Sequence, residues 1–370
     1  ESSASGSQLA QAYETQSIGA IIAPFVIGLI ADRYFAAQKI LGILHLMGAA
    51  LLFIMSHADR FENFYPYIFI YMLLYMPTLA LANAVAFNQM KDPSKQFASI
   101  RVLGSVGWIV AGFTIGTLGW EGTQTLKYTF YMASGASALL GVYSFFLPKT
   151  PPRLSSNEKI SLREILGLDA LAMLKDRGFL FFFIASILIC IPLAFYYQHA
   201  NPFLNEVGME AAASKMILGQ ISEVLFLLLL PLFIKRYGIK NALVVGILAW
   251  GVRYLLFAYG DTGAQTWMLI FGILLHGVCY DFFFVSGQIY TDYKAGETFK
   301  SSAQGLITLA TYGLGMLIGF RFAGWLTDQY VTDTGHLWSN IWVHPAIFSF
   351  LVLILFLIFF KNETIKFRTL

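Results

Sequence analysis

Eleven nearly uncharged stretches, each about as long as a lipid hydrocarbon core is thick, recur along this chain and limit what it can fold into. They lie near residues 17–31, 39–57, 64–86, 99–119, 127–147, 179–197, 213–234, 240–259, 265–289, 300–327 and 342–360. A core about 30 Å thick takes about 20 residues of helix. Lipid offers backbone N–H and C=O groups no partners, so each crossing satisfies its own. Composition agrees: 57% of the residues are hydrophobic and 12% charged, against about 25% charged in a soluble domain. The prediction is an all-α polytopic membrane protein. Residues 1–16 are polar and Ser-rich without Lys or Arg, which is no signal peptide. Cys190 and Cys279 fall inside spans, where buried inert thiols are expected, with no disulfide framework and no metal site.

Lysine and arginine set the orientation. The first, third, fifth, seventh, ninth and last connecting segments carry eighteen of them. These are Arg33 and Lys39; Lys91 and Lys95; six between Lys149 and Arg177; Lys235, Arg236 and Lys240; Lys294 and Lys300; and Lys361, Lys366 and Arg368. The alternate segments carry Arg60, with Lys127 at a boundary. Cytoplasmic loops retain Lys and Arg, which places the C-terminus in the cytoplasm and Glu1 outside. An outside N-terminus without a signal sequence predicts one further helix before Glu1, bringing the total to twelve.

The basic turns repeat. GLIADRYFAAQKIL (28–41) follows the first visible span and PLFIKRYGIKNAL (231–243) follows the seventh, a period of six helices. Such a period marks a transporter built from two parallel halves. The expected division is an N-terminal half at 1–147, a cytoplasmic linker at 148–178 and a C-terminal half with a short tail at 179–370. The span at 179–197 then has no visible partner, which again predicts a helix before Glu1.

A charge at mid-bilayer costs at least about 2.5–3.5 kcal/mol, so the charges inside spans are the most informative: Arg101, Lys215, Glu223, Arg253, Asp281 and Arg321. Lys215 and Arg321 lie close enough to a helix end to snorkel; Arg253 is open to either reading. Glu223 and Asp281 are short and near mid-span, which marks them as proton or substrate groups, with a structural ion pair as the alternative. Gln220 and Glu223 are three apart and share a helix face. His276 and Tyr280 share another, with Asp281 adjoining. Arg101, Ser105 and Trp108 form a stripe, with Gly104, Gly107 and Gly112 nearby for close helix packing. Three helices thus turn polar or aromatic faces to one cavity. The set suits a nucleoside: an amide and a carboxylate for ribose hydroxyls, an aromatic plane for the base, and donors for base edges. Packing is the alternative for Trp108 and Tyr280, and an interhelical hydrogen bond for His276.

The first basic turn resembles the signature of the major facilitator superfamily, with matches at Gly28, Asp32, Arg33 and Lys39 and with Phe35 and its neighbours in place of the usual later Gly. Asp32, Arg33 and Lys39 then form a gate that pairs with helix ends in one state and releases in another; simple positive-inside anchoring is the alternative. A narrower resemblance runs through YMPTLAL (75–81), IRVLGSVGW (100–108), LGLDALAML (166–174), QISEVLF (220–226), RYGIKN (236–241), FAYGD (257–261), YDFF (280–283) and SAQG (302–305). These runs, in order over almost the whole chain, are similar to the NupG-type nucleoside–proton symporters. The resemblance implies a monomeric twelve-helix facilitator of the bacterial inner membrane that imports nucleosides such as uridine or adenosine. The proton is its coupling ion, with no other cofactor and no nucleic-acid partner. It implies substrate contacts at Arg101, Ser105, Trp108, Gln220, Glu223, His276, Tyr280 and Asp281, with proton coupling at Glu223 and Asp281. Ser105 stands for a Thr of the family, Trp108 for a Phe and His276 for a Tyr. Ala194 and Tyr197, with Gln198 beyond, occupy the place of a Gln and an Asn, so base preference is expected to differ.

A facilitator for sugars or drugs is the competing transport reading, since one fold carries many functions. A membrane sensor that no longer transports would keep the fold without a need for titrating carboxylates. An enzyme has no support: HExxH, GxSxG and Walker-type loops are absent from the sequence.

Overall fold

The computed structural model describes residues 5–26, 35–89, 93–120, 125–151, 168–295, 303 and 306–361, and among these described residues helices fall in each of the eleven apolar stretches. They are α1 (Gly6–Val26), α2 (Ala37–Met55), α3 (Phe61–Gln89), α4 (Pro93–Thr117), α5 (Lys127–Ser144) and α6 (Arg177–Glu206). The helical run Ala212–Tyr259 breaks only at Gly238, whose φ of 82° suits a residue without Cβ, and so divides into α7 (212–237) and α8 (239–259). The second basic turn is therefore a single-glycine break. Helices α9 (Thr266–Ala295), α10 (Leu306–Asp328) and α11 (Trp338–Phe359) complete the bundle. The helical runs at Ala37–Met55, Arg177–Glu206, Ala212–Tyr259, Thr266–Ala295, Leu306–Asp328 and Trp338–Phe359 are long and apolar enough to cross a membrane by length and composition. A two-residue hairpin, Val331–Thr332 with Gly335–His336, joins α10 to α11 and is held by Glu206, which accepts from the His336 amide at 2.6 Å.

The first span starts earlier than the sequence predicts. Helix begins at Gly6, not near residue 17, because its polar residues find partners on α10. The Asp328 carboxylate accepts from the amides of Gly6 (2.6 Å) and Ser7 (3.0 Å) and from the Ser7 hydroxyl, capping α1 from another helix. Glu14, Thr15 and Ser17 are buried in the bundle, so they do not meet lipid.

Close packing follows a pattern. Helix α1 meets α3 where Gly19 faces Met72 and Met76, and α7 meets α9 where Gly219 faces His276 and Gly277 faces Ser222. Helix α2 meets α5 at Gly42 and Gly141, and α8 meets α11 at Gly251 and Phe350. A shift of six helices carries the first pairing of each kind onto the second. The contacts joining the two sets, α1 with α10 and α4 with α7, are exchanged by the same shift. The largest buried cluster lies in α6–α11, where Tyr254 and Trp342 stack at 5.5 Å. Cys190 and Cys279 are free and buried, as expected.

Asp176 caps α6, accepting from the Phe179 amide at 2.8 Å, and both its oxygens accept from Lys294 Nζ at 3.1 Å. Burial opposes its charge, but the amides of Phe179 and Gly178 and the Lys294 ammonium outweigh that and hold the carboxyl below its usual range. A depressed folded-state pKa stabilises above the unfolded value of about 3.9 and loses that contribution as pH falls through the folded value. Asp176→Ala is expected to cost about 1 kcal/mol at neutral pH. Thermal unfolding of detergent-purified protein would show this as a lowered midpoint, with the difference closing once the parent carboxyl is protonated. A difference that persists there would contradict the cap.

Candidate functional site

Small residues bring α7 and α9 into backbone contact. A Cβ on Gly277 would lie 2.5 Å from the Ser222 carbonyl, and the Gly277 amide donates to Ser222 Oγ at 2.9 Å. That approach places His276 beside Glu223, with Nε2 3.6 Å from Oε2. Arg253 of α8 reaches the other side of the imidazole, its Nη1 donating to Nδ1 at 3.2 Å. Tyr196 of α6 stacks on His276 at 5.4 Å, and Tyr280 lies over it at 5.9 Å. The Tyr280 hydroxyl bonds that of Tyr312 on α10 at 2.9 Å.

Asp281 is buried and opens a wide π-turn, Asp281–Val285, inside α9. Such turns insert one residue into a helix and recur at functional sites. Gln220 is half-buried one turn before Glu223, as the spacing predicts. Helices α6 to α10 thus gather Glu223, His276 and Tyr280, with Gln220 and Asp281 adjoining.

Helix α4 behaves differently. Ser105 is half-buried and Trp108 is 63% exposed. Among the described residues, no hydrogen bond or ring contact joins either to the α7–α9 set. The predicted packing role of Gly104 and Gly107 is not met, since a Cβ at either would touch nothing within 4 Å. Gly112 packs as expected, against Ile217 and Ala213, and Gly116 packs against Ser214. The two helices therefore close at the end where α4 finishes and α7 starts. The physical reason is geometric: a straight pair touching at one end separates toward the other. The Arg101 side chain lies outside the described residues, as do Asp32 and Arg33 of the predicted gate, residues 152–167 of the predicted linker and most of the SAQG run. Lys39 is exposed in the first turn of α2.

The same end of the bundle is sealed between α1 and α10. Gly6 and Ala10 cross Gly324, Asp328 caps α1, and Arg321 Nε donates to Glu14 Oε1 at 2.9 Å. Gln198 Nε2 donates to the Gly6 carbonyl at 3.3 Å, so it serves this seal. Ala194 packs against Gly319. Arg321 does not simply snorkel; it pairs. Arg253 does not snorkel either: it is fully buried, with its guanidinium 3.5 Å from the Tyr196 ring centre. Three contributors escaped the sequence reading. Glu14 sat in a stretch read as a polar tail, though an acid three residues from an apolar run was a signal. Tyr196 and Tyr312 were hidden among many aromatics, and nothing local distinguishes them.

Residues 1–365 match the family model described as "Nucleoside H+ symporter". The chain is 42% identical to the putative nucleoside transporter YegT of Escherichia coli K12, over 97% of this chain and 87% of that protein. It is 31% identical to the xanthosine permease of the same organism, over 98% and 90%. The crystal structure of the nucleoside transporter NupG superposes with a TM-score of 0.86 at 30% identity, covering 97% of this chain and 91% of that one. Agreement in sequence and fold over nearly all of this chain leaves one conclusion: the chain belongs to the nucleoside–H+ symporter family, an integral inner-membrane protein that imports nucleosides with protons and is not an enzyme.

Proposed function

We propose that the chain imports nucleosides such as uridine or adenosine as a monomer, through contacts at Arg101, Ser105, Trp108, Gln220, Glu223, His276, Tyr280 and Asp281. Glu223 or Asp281 carries the coupled proton, and no other cofactor takes part. One observation carries this reading: Glu223 and His276 meet at 3.6 Å inside the α7–α9 contact, with Asp281 buried on the same helix as His276. Ionisable groups inside spans are costly and are retained for ion and substrate paths. Gln220 and Glu223 hold the ribose, and Trp108 or Tyr280 stacks on the base.

The halves at 1–147 and 179–370 rock about this site on the linker at 148–178, with Asp32, Arg33 and Lys39 as the cytoplasmic gate. The helix pairings related by a shift of six support that division. The excess of Lys and Arg in alternate loops supports a cytoplasmic C-terminus. On that orientation the sealed end faces outside, and this conformation is the inward-facing one.

Uptake of labelled uridine into proteoliposomes, with and without an imposed pH gradient, tests the reading. Adenosine should compete and a panel of sugars should not. Gln220→Ala removes hydrogen bonds to a hydroxyl and is expected to weaken uridine binding up to about tenfold. Lys215→Ala, at the start of α7, is expected to change it less than about twofold. Equal losses from both would contradict the assignment.

A further inference from the structure

We propose that Arg253 is a positioning residue for nucleoside binding, acting through His276 to aim an imidazole N–H at Glu223. The inference rests on the assignment of Glu223 to the substrate site.

Arg253 lies on α8, fully buried, and hydrogen-bonds His276 among the residues assigned to substrate. Its guanidinium sits 3.5 Å from the ring centre of Tyr196, with Trp250 at 5.4 Å and Phe257 at 5.6 Å. Among the described residues its Nη1 has a hydrogen-bond partner, while Nε and Nη2 have none. A buried cation with so few polar contacts is poorly explained as a stabilising device, because its desolvation exceeds what one neutral partner returns. Its hydrogen bond to His276 is therefore the informative contact, with the Cys279 thiol as a weaker neighbour.

Arginine can only donate hydrogen bonds. The contact at 3.2 Å thus makes His276 Nδ1 an acceptor, and an accepting nitrogen carries no proton. The neutral ring then holds its hydrogen at Nε2, the nitrogen that faces Glu223 Oε2 at 3.6 Å. Ring rotation is restricted by the stacked rings of Tyr196 and Tyr280, each inclined by 27°. With the tautomer and the ring plane both set, one Glu223 oxygen faces a donor from behind. The other is left for hydroxyls of the substrate. A Tyr at position 276, which the family resemblance implies, offers one hydroxyl and no second nitrogen for Arg253 to fix.

A cycle of substitutions separates positioning from mere packing. Uridine affinity is measured by calorimetry on the full chain in detergent, with KM and maximal rate from proteoliposome uptake. Arg253→Met is expected to raise Kd and KM about tenfold with little change in maximal rate. His276→Phe keeps the stacked ring and loses both nitrogens, and should give a similar rise. In the His276→Phe background Arg253→Met should add less than about twofold, since its route is gone. Arg253→Lys keeps a donor and should recover most of the affinity. Nitrogen-15 spectra of ring-labelled protein, with the His276 signal identified among six histidines by its loss in His276→Phe, should show an unprotonated Nδ1 in the parent and a mixture in Arg253→Met. Independent, multiplying losses in the cycle would overturn the proposal, as would a protonated Nδ1 in the parent. If Arg253→Met does not fold, the parent spectrum and the His276→Phe affinity decide: a protonated Nδ1, or an unchanged affinity without the imidazole, overturns the proposal. Glu223→Gln in the same assay isolates the premise: unchanged affinity there removes the site assignment itself, whereas weakened affinity with an uncoupled cycle removes only the role of Arg253.

Discussion

Neutralising the two mid-span carboxylates in place, as Glu223→Gln and Asp281→Asn, is expected to abolish pH-driven nucleoside accumulation in at least one case while leaving the protein folded. The size of the effect follows from what a proton supplies. One pH unit is worth about 1.4 kcal/mol and 100 mV of membrane potential about 2.3 kcal/mol per charge. Together, one coupled proton sustains a gradient of several hundred-fold. A variant that cannot take the proton has nothing to sustain a gradient and should equilibrate nucleoside without concentrating it. The structure makes both side chains suitable. Asp281 is buried within a π-turn, and Glu223 is partly exposed beside a histidine. A charge there opposes movement of the site through a low-dielectric interior, and a proton removes that penalty. The measurement is accumulation of labelled uridine against its gradient, beside exchange of uridine at equal concentrations, which the neutral variants should retain. Undiminished accumulation with unchanged pH dependence in both would mean that neither carboxylate carries the proton.

Gly324→Val should block transport by a different route. A Cβ at Gly324 would lie 2.5 Å from both Ala10 Cβ and the Gly6 carbonyl oxygen, and 3.1 Å from the Gly6 carbonyl carbon. These are backbone and first side-chain atoms with no rotamer to yield, so α1 and α10 must part. Their separation also removes the Asp328 cap from Gly6 and Ser7 and strains the Glu14–Arg321 pair. The protein then cannot reach the conformation described here, and uptake should fall at least about a hundredfold. Binding should survive, since the assigned substrate contacts lie on α4, α7 and α9. A cysteine introduced at buried Ser17 should react with a membrane-impermeant maleimide faster when Gly324→Val is present, with little background because Cys190 and Cys279 are themselves buried. Gly135→Ala, where a Cβ meets nothing within 4 Å, serves as the control and should transport normally. Parental uptake by Gly324→Val would show that this seal does not open and close during transport.

Much of the architecture was legible along the chain because lipid makes a local property decisive. A helix that crosses hydrocarbon must be apolar over a fixed length and must bond its own backbone, so the positions of α2 to α11 follow from runs of residues read one at a time. The same physics singled out Glu223 and Asp281, since a short acidic side chain at mid-span has no cheap explanation. Tertiary structure decided whatever depends on a partner distant in sequence. The start of α1 is set by Asp328, the burial of Glu14 by Arg321, and the role of Arg253 by His276 and Tyr196. Gly104 and Gly107 look no different in sequence from Gly112, yet only Gly112 meets another helix. Hydropathy acts on each residue through the solvent it faces, whereas a pairing acts through the one neighbour the fold supplies. The first is written in local composition, and the second exists only once the helices have packed.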